Sequence, residues 1–164
     1  MRLNWMALAA AAVSCSSPDS SDSPAQITRS GTLEITDAYA PAPASADVGS
    51  LYFTVINHGG EADTLVAIET SAGGTASLHD MVRIDGTMRM QATGAVEVAP
   101  SHTLRMAPGG YHVMIEHVTV RPEVGDTLDV IVTFARAGQV ELRVPILTYS
   151  DVARLLEDPG DRRH

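Results

Sequence analysis

Residues 109–118 read Gly-Gly-Tyr-His-Val-Met-Ile-Glu-His-Val. The paired glycines signal a turn, and the run that follows suits an extended strand, in which side chains two apart share a face. Val113 and Ile115 then form a core-facing pair, while His112 and Met114 point the other way. His117 falls on the Val113/Ile115 face near the strand end and reads as structural.

The same texture continues on both sides. Short β-rich runs are expected at Leu33–Ala40, Leu51–Asn57, Thr64–Thr70, Thr75–His79, Met88–Ala92, Val96–Val98, Thr103–Met106, Tyr111–Val118, Thr127–Ala135 and Val140–Val144. Turn signals such as Asn57-His58-Gly59-Gly60, Asp85-Gly86 and Arg136-Ala137-Gly138 separate them. Many short strands at close spacing predict an all-β fold, an antiparallel sandwich or barrel. Only Asp151–Glu157 has helical spacing, with Val152, Leu155 and Leu156 on one side and Ser150 as the expected N-cap.

Composition narrows the chemistry. The chain has 164 residues, a length suited to one domain, and a net charge of −9. Such an acidic balance argues against a nucleic-acid partner, which needs a basic patch. All 11 basic residues are arginine, so no phosphate-binding loop lysine exists, and no G-x-G-x-x-G follows a strand. With aromatics at 4%, the core must come from Val, Leu, Ile, Ala and Met. Cys15 is the sole cysteine, which excludes an internal disulfide and a cysteine-based zinc or iron–sulfur site. No nucleophile elbow or Ser/His/Asp order is visible, so the chain is not expected to be an enzyme.

The N-terminal stretch reads as address and tether. Residues 1–14 carry one positive charge and then a short run of small and apolar residues, the pattern of a secretory signal and too short for a permanent membrane span. Ala12-Val13-Ser14-Cys15 resembles a bacterial lipobox, with Ala12 where leucine is usual, and makes Cys15 the expected lipidation site. The Ser-, Asp- and Pro-rich stretch that follows cannot bury apolar surface and is expected to be a flexible linker. The expected organisation is therefore signal peptide 1–14, lipidated Cys15 and linker 15–31, sandwich 32–148 and a short C-terminal tail 149–164.

The histidines and methionines are patterned. Strand parity pairs His79 with Met81, Met88 with Met90, and His112 with Met114. Two imidazoles and at least two thioethers can converge at one end of a sandwich, and such a donor set selects Cu(I) over hard cations and zinc. Met106, alternating with Leu104, reads as core, and His58, His102 and His164 read as solvated.

The spacing His79, ten residues, Met90, twenty-one residues, His112, one residue, Met114 resembles the H-x10-M-x21-H-x-M signature of periplasmic copper chaperones of the PCu(A)C type. Asp37-Ala38-Tyr39-Ala40, Tyr52–Asn57, Pro108-Gly109-Gly110-Tyr111-His112 and Gly125-Asp126-Thr127 extend the resemblance over about residues 33–147. It implies a cupredoxin-like β-sandwich whose copper, as Cu(I), is held by His79, Met90, His112 and Met114 in the periplasm or cell envelope. It also implies delivery to the Cu(A) site of cytochrome c oxidase, on subunit II, or to another copper assembly protein. Two departures stand out. Asp80 occupies a position where some relatives have methionine, and the tail has one histidine and no methionine. A metal-free β-sandwich acting as an envelope interaction module is the competing class. An electron-transfer cupredoxin is excluded, because a blue-copper site needs a thiolate and Cys15 lies outside the fold.

Overall fold

The computed structural model describes residues 27–157. The signal, the lipobox with Cys15, most of the linker and the end of the tail, including His164, lie outside the described residues. Eleven strands form one continuous hydrogen-bonded system with the spatial order β6-β5-β9-β3-β2-β11-β10-β4-β7, to which β1 adds on β2 and β8 on β3. Their bounds are β1 Thr28–Ser30, β2 Leu33–Pro41, β3 Val48–Asn57, β4 Asp63–Thr70, β5 Thr75–Ile84 and β6 Thr87–Ala92. The rest are β7 Val96–Val98, β8 Thr103–Arg105, β9 His112–Glu116, β10 Thr127–Phe134 and β11 Gly138–Leu147. A helix, α1, closes the described chain at Tyr149–Glu157. Pairing is antiparallel except where β11 meets β2 side by side at Ile146↔Ala40 and Leu147↔Pro41. The fold is the expected all-β sandwich.

Alternation builds the core. In β10 and β11 every second residue is buried, so Leu128, Val130, Val132 and Phe134 lie beside Val140, Leu142, Val144 and Ile146 on one inward face of paired strands. Leu51, Phe53 and Val55 of β3 and Val113 and Ile115 of β9 complete it, each at 2% exposure or less. Burying a side chain of this size is worth about 1.5–3 kcal/mol. Residues 112–116 therefore have the expected parity, with Val113 and Ile115 inside and His112 and Met114 on the outer face.

β3 organises the site half of the sandwich. Its first residues pair with β9 (Ser50↔Met114, Leu51↔Val113), and its later ones pair with β2 and β8. One strand thus ties the candidate site to the centre of the molecule.

Four sequence expectations are corrected. Residues 28–30, read as linker, form β1 against Leu33–Ile35. β5 runs beyond His79 to Ile84, because the hairpin with β6 continues through Met81↔Met90 and Arg83↔Met88. His117 lies past the end of β9, is exposed, and takes a left-handed backbone (φ 58°), so it does not share the core face. The helix cap is Thr148, not Ser150: the Thr148 hydroxyl oxygen accepts the Asp151 N–H at 3.1 Å and its O–H donates to the Asp151 carboxylate at 2.6 Å. Thr148 wins because it directly precedes the first helical residue, Tyr149, the place an N-cap occupies, whereas Ser150 already lies inside the helix.

The β5/β9 register begins at Thr75↔Glu116, straight after Gly73 and Gly74, both in left-handed conformation. A Cβ on Gly74 would collide with the carbonyl oxygens of Glu116 and His117, whereas one on Gly86, equally left-handed, would meet nothing. Gly86→Ala should cost about 1–2 kcal/mol from backbone conformation alone. Gly74→Ala adds a backbone clash and should cost about 2 kcal/mol more. Urea denaturation midpoints of the two variants check this, and equal losses would contradict it.

Candidate metal centre

The outer face of β6, β5, β9 and β3 carries the chemistry. Antiparallel register sets His79 directly opposite His112, with Ala92 beyond His79 on β6. One row to one side, Ser77 stands opposite Met114, which in turn faces Ser50 of β3. One row to the other side, Met81 stands opposite Met90. Directly opposed residues have Cβ atoms about 4.5–5.5 Å apart. The expected candidates His79, Met90, His112 and Met114 therefore lie within neighbouring rows of one surface. Asp80 has the opposite parity and does not belong to it.

The two imidazole rings stack with centroids 5.8 Å apart and planes inclined by 29°. His112 is fixed on its inner edge, where Nδ1 lies 2.9 Å from the carbonyl oxygen of Gly110. A carbonyl only accepts, so Nδ1 carries the hydrogen and a neutral ring presents a lone pair at Nε2. That nitrogen faces the Met90 sulfur at 3.3 Å. A thioether is also an acceptor, so two lone pairs confront one another unless a cation stands between them. A first-row ion holding nitrogen at about 2.0 Å and sulfur at about 2.3 Å in tetrahedral geometry separates those donors by roughly 3.5 Å. The observed spacing fits such an occupant.

His79 supplies the second sign. Its Nε2 lies 2.9 Å from the Ser77 hydroxyl, and its Nδ1 is buried without a hydrogen-bond partner. A serine hydroxyl can accept Nε2–H, and in that arrangement the lone pair is on Nδ1. A buried acceptor in this condition costs about 1–3 kcal/mol, which an ion would recover. The Gly110 carbonyl thus holds His112 in the tautomer a metal needs, and the Ser77 hydroxyl, as acceptor, gives His79 a matching one. Neither was singled out from the sequence, although Ser77 sits two residues before His79 on the same strand face and parity alone could have found it.

Exposure grades across the site. His79, His112, Met81 and Met114 are half-buried, whereas Met90 is 48% and Met88 42% exposed on the edge strand β6. On the far side, Tyr52 lies 6.5 Å from the His112 ring and stacks on Tyr39 at 5.1 Å. Val152, Leu147 and Leu155 pack against this tyrosine pair, so α1 braces the wall of the site. A groove of about 540 Å³ lies beyond Tyr39, bordered by Glu34, Thr54, Arg105 and Leu155, and it holds none of the candidate donors.

Met106, His58 and His102 fall where the sequence put them. Met106 is 2% exposed in the core. His58 is exposed and bonded to Glu34, whose carboxyl is held below the usual carboxylate range by the Arg29 guanidinium, with His58 adding to the effect. His102 bonds to the Pro100 carbonyl. Among the described residues no three His, Cys, Asp or Glu side chains cluster, so a metal centre on this face would depend on thioethers.

The tautomer assignment can be checked directly. Imidazole ¹⁵N shifts of the metal-free protein should show His112 with its proton on Nδ1. A proton found on Nε2 in the neutral ring would contradict the Gly110 contact and the lone-pair confrontation built on it.

Comparison with known proteins agrees with the architecture. A relative named "Putative lipoprotein Lxx21020", from Leifsonia xyli subsp. xyli, is 26% identical over 119 residues, covering 72% of this chain and 71% of its own. The copper-bound PCuAC domain from PmoF2 superposes with a TM-score of 0.65 at 22% identity, over 75% of this chain and 98% of that domain. The apo PCuAC domain from PmoF1 gives 0.65 at 26% identity, over 75% and 99%. Apo-DR1885 from Deinococcus radiodurans gives 0.52 at 19% identity, over 89% and 97%. The sandwich is therefore the cupredoxin-like one of PCuAC domains. The LpqE-like family profile matches residues 33–146, most of the described strands, and the chain belongs to that family.

Proposed function

We propose that this chain is an extracytoplasmic copper chaperone that binds one Cu(I) through His79, Met90, His112 and Met114 and passes it to an apo-protein. The observation that carries the reading is the contact between His112 Nε2 and the Met90 sulfur at 3.3 Å, made while Nδ1 is committed to Gly110. Two imidazoles and two thioethers form a soft, thiolate-free donor set, which favours Cu(I) over Zn²⁺ and over hard cations. The copper-bound state of a PCuAC domain with the same fold supports the choice of metal.

The chemistry suits carriage more than storage. Thioethers keep no proton and imidazole binds when neutral, so the ion is held with moderate strength. An acceptor site that offers cysteine thiolates can exceed that strength and draw the ion off by ligand exchange. The Cu(A) site of cytochrome c oxidase subunit II is the recipient that the PCu(A)C resemblance suggests. The lipobox-like Ala12–Cys15 and the lipoprotein name of the Leifsonia relative support a chain tethered to the membrane by lipid on Cys15, in the periplasm or cell envelope. In this reading His79, Met90, His112 and Met114 bind the ion and Ser77 and Gly110 position the rings, so no catalytic step is involved.

The test is a titration of the full chain with Cu(I) under reducing conditions. One equivalent should be retained against a weak competing chelator. His112→Ala and Met114→Leu should each weaken binding by about tenfold or more, which corresponds to about 1.4 kcal/mol. Met106→Leu, a volume-conserving change in the core, should cost under about 1.5 kcal/mol of stability and leave copper binding at the parental level. Retention of no copper would leave the metal-free interaction module as the better reading.

A further inference from the structure

Met81 has no place in the four-residue donor set, yet the sheet register puts it beside that set. It stands directly opposite Met90, and two residues after His79 on the same outer face. Its Cβ is therefore about 4.5–5.5 Å from that of Met90, with both side chains rising from the same surface. It is not part of the core, which lies on the opposite face, where Leu78 and Val113 are buried.

Met90 has a different situation. It lies on β6, an edge strand whose six residues are all exposed, and its side chain must reach across β5 to bring sulfur to His112 on β9. Methionine has three rotatable side-chain bonds, so at 48% exposure this thioether can swing toward solvent. Met81, half-buried on the intervening strand, is the thioether left within reach of the vacated position.

Resting on the copper reading above, we propose that Met81 is an exchange donor of the site. It takes the place of Met90 on Cu(I) while Met90 turns outward to meet the acceptor. One copper–sulfur bond breaks and another forms. No electron moves, and neither sulfur carries a proton to lose, so the step needs no base or reductant. The gradient from half-buried His79, Met114 and Met81 to exposed Met90 and Met88 gives the ion a direction of travel toward the edge strand.

A four-variant cycle on the full chain tests this, reading Cu(I) dissociation constants by competition with bicinchoninate. Parent, Met81→Leu, Met90→Leu and the double variant are compared. Leucine for methionine conserves volume on an outer face, and thermal unfolding verifies that each variant folds. Met90→Leu should weaken binding by about tenfold, and Met81→Leu alone by less than threefold. The double variant should bind at least a further tenfold more weakly than Met90→Leu, since the substitute donor is then gone too. If Met81→Leu has as little effect in the Met90→Leu background as in the parent, the exchange role is overturned. A parent chain that retains no Cu(I) would instead remove the copper reading itself, an outcome distinct from the failure of Met81 alone.

Discussion

The pairing of β5 with β9 in the register His79↔His112 is the constraint on which the candidate site depends. A sheet has a side-chain period of two, so a slip of one residue would turn either histidine into the core and bring Leu78 or Val113 out. The hydrophobic side of the same strands prevents that slip. Leu78, Val113, Ile115 and Leu51 are buried against the interior, and each holds its outer neighbour in place. Gly74 contributes at the strand entry, where only a residue without Cβ lets the chain pass the carbonyls of Glu116 and His117.

Once the register is set, local polar contacts decide what the outer face can do. The Gly110 carbonyl and the Ser77 hydroxyl each occupy one nitrogen of a ring and release the other. The released nitrogens meet sulfur at His112 and nothing at His79. In the proposed reading, the thioethers would set a preference for a soft ion, and the place of Met90 on the edge strand would set where that ion leaves. The Tyr39/Tyr52 stack, braced by α1, closes the opposite side. A candidate site walled on one flank and exposed on the other fits the proposed role in transfer better than one in permanent retention.

Much of this was legible in the sequence because strand periodicity is strict. The alternation in Tyr111–Glu116 separated His112 and Met114 from Val113 and Ile115 without any knowledge of neighbours. Partner strands were not legible: nothing in Thr75–Ile84 says that it lies between β6 and β9, so the His79↔His112 opposition had to come from the fold. The length of β5 was underestimated because Val82-Arg83-Ile84 runs straight into the Asp85-Gly86 turn, and cross-strand pairing rather than local composition keeps it extended. His117 was misplaced for a related reason, since its backbone reverses at a position where residue type alone gives no warning. The helix cap shifted from Ser150 to Thr148 because two hydroxyl residues compete at that junction, and the start of the helix at Tyr149 decides between them.

The central claim is that a soft His/Met set on this face holds Cu(I). Copper K-edge X-ray absorption on the full chain loaded with one equivalent of Cu(I) tests it most directly. The account predicts a first shell of nitrogen and sulfur in equal number, two of each, with the sulfur contribution falling by half in Met114→Leu. A shell of nitrogen and oxygen alone, unchanged by that substitution, would contradict it.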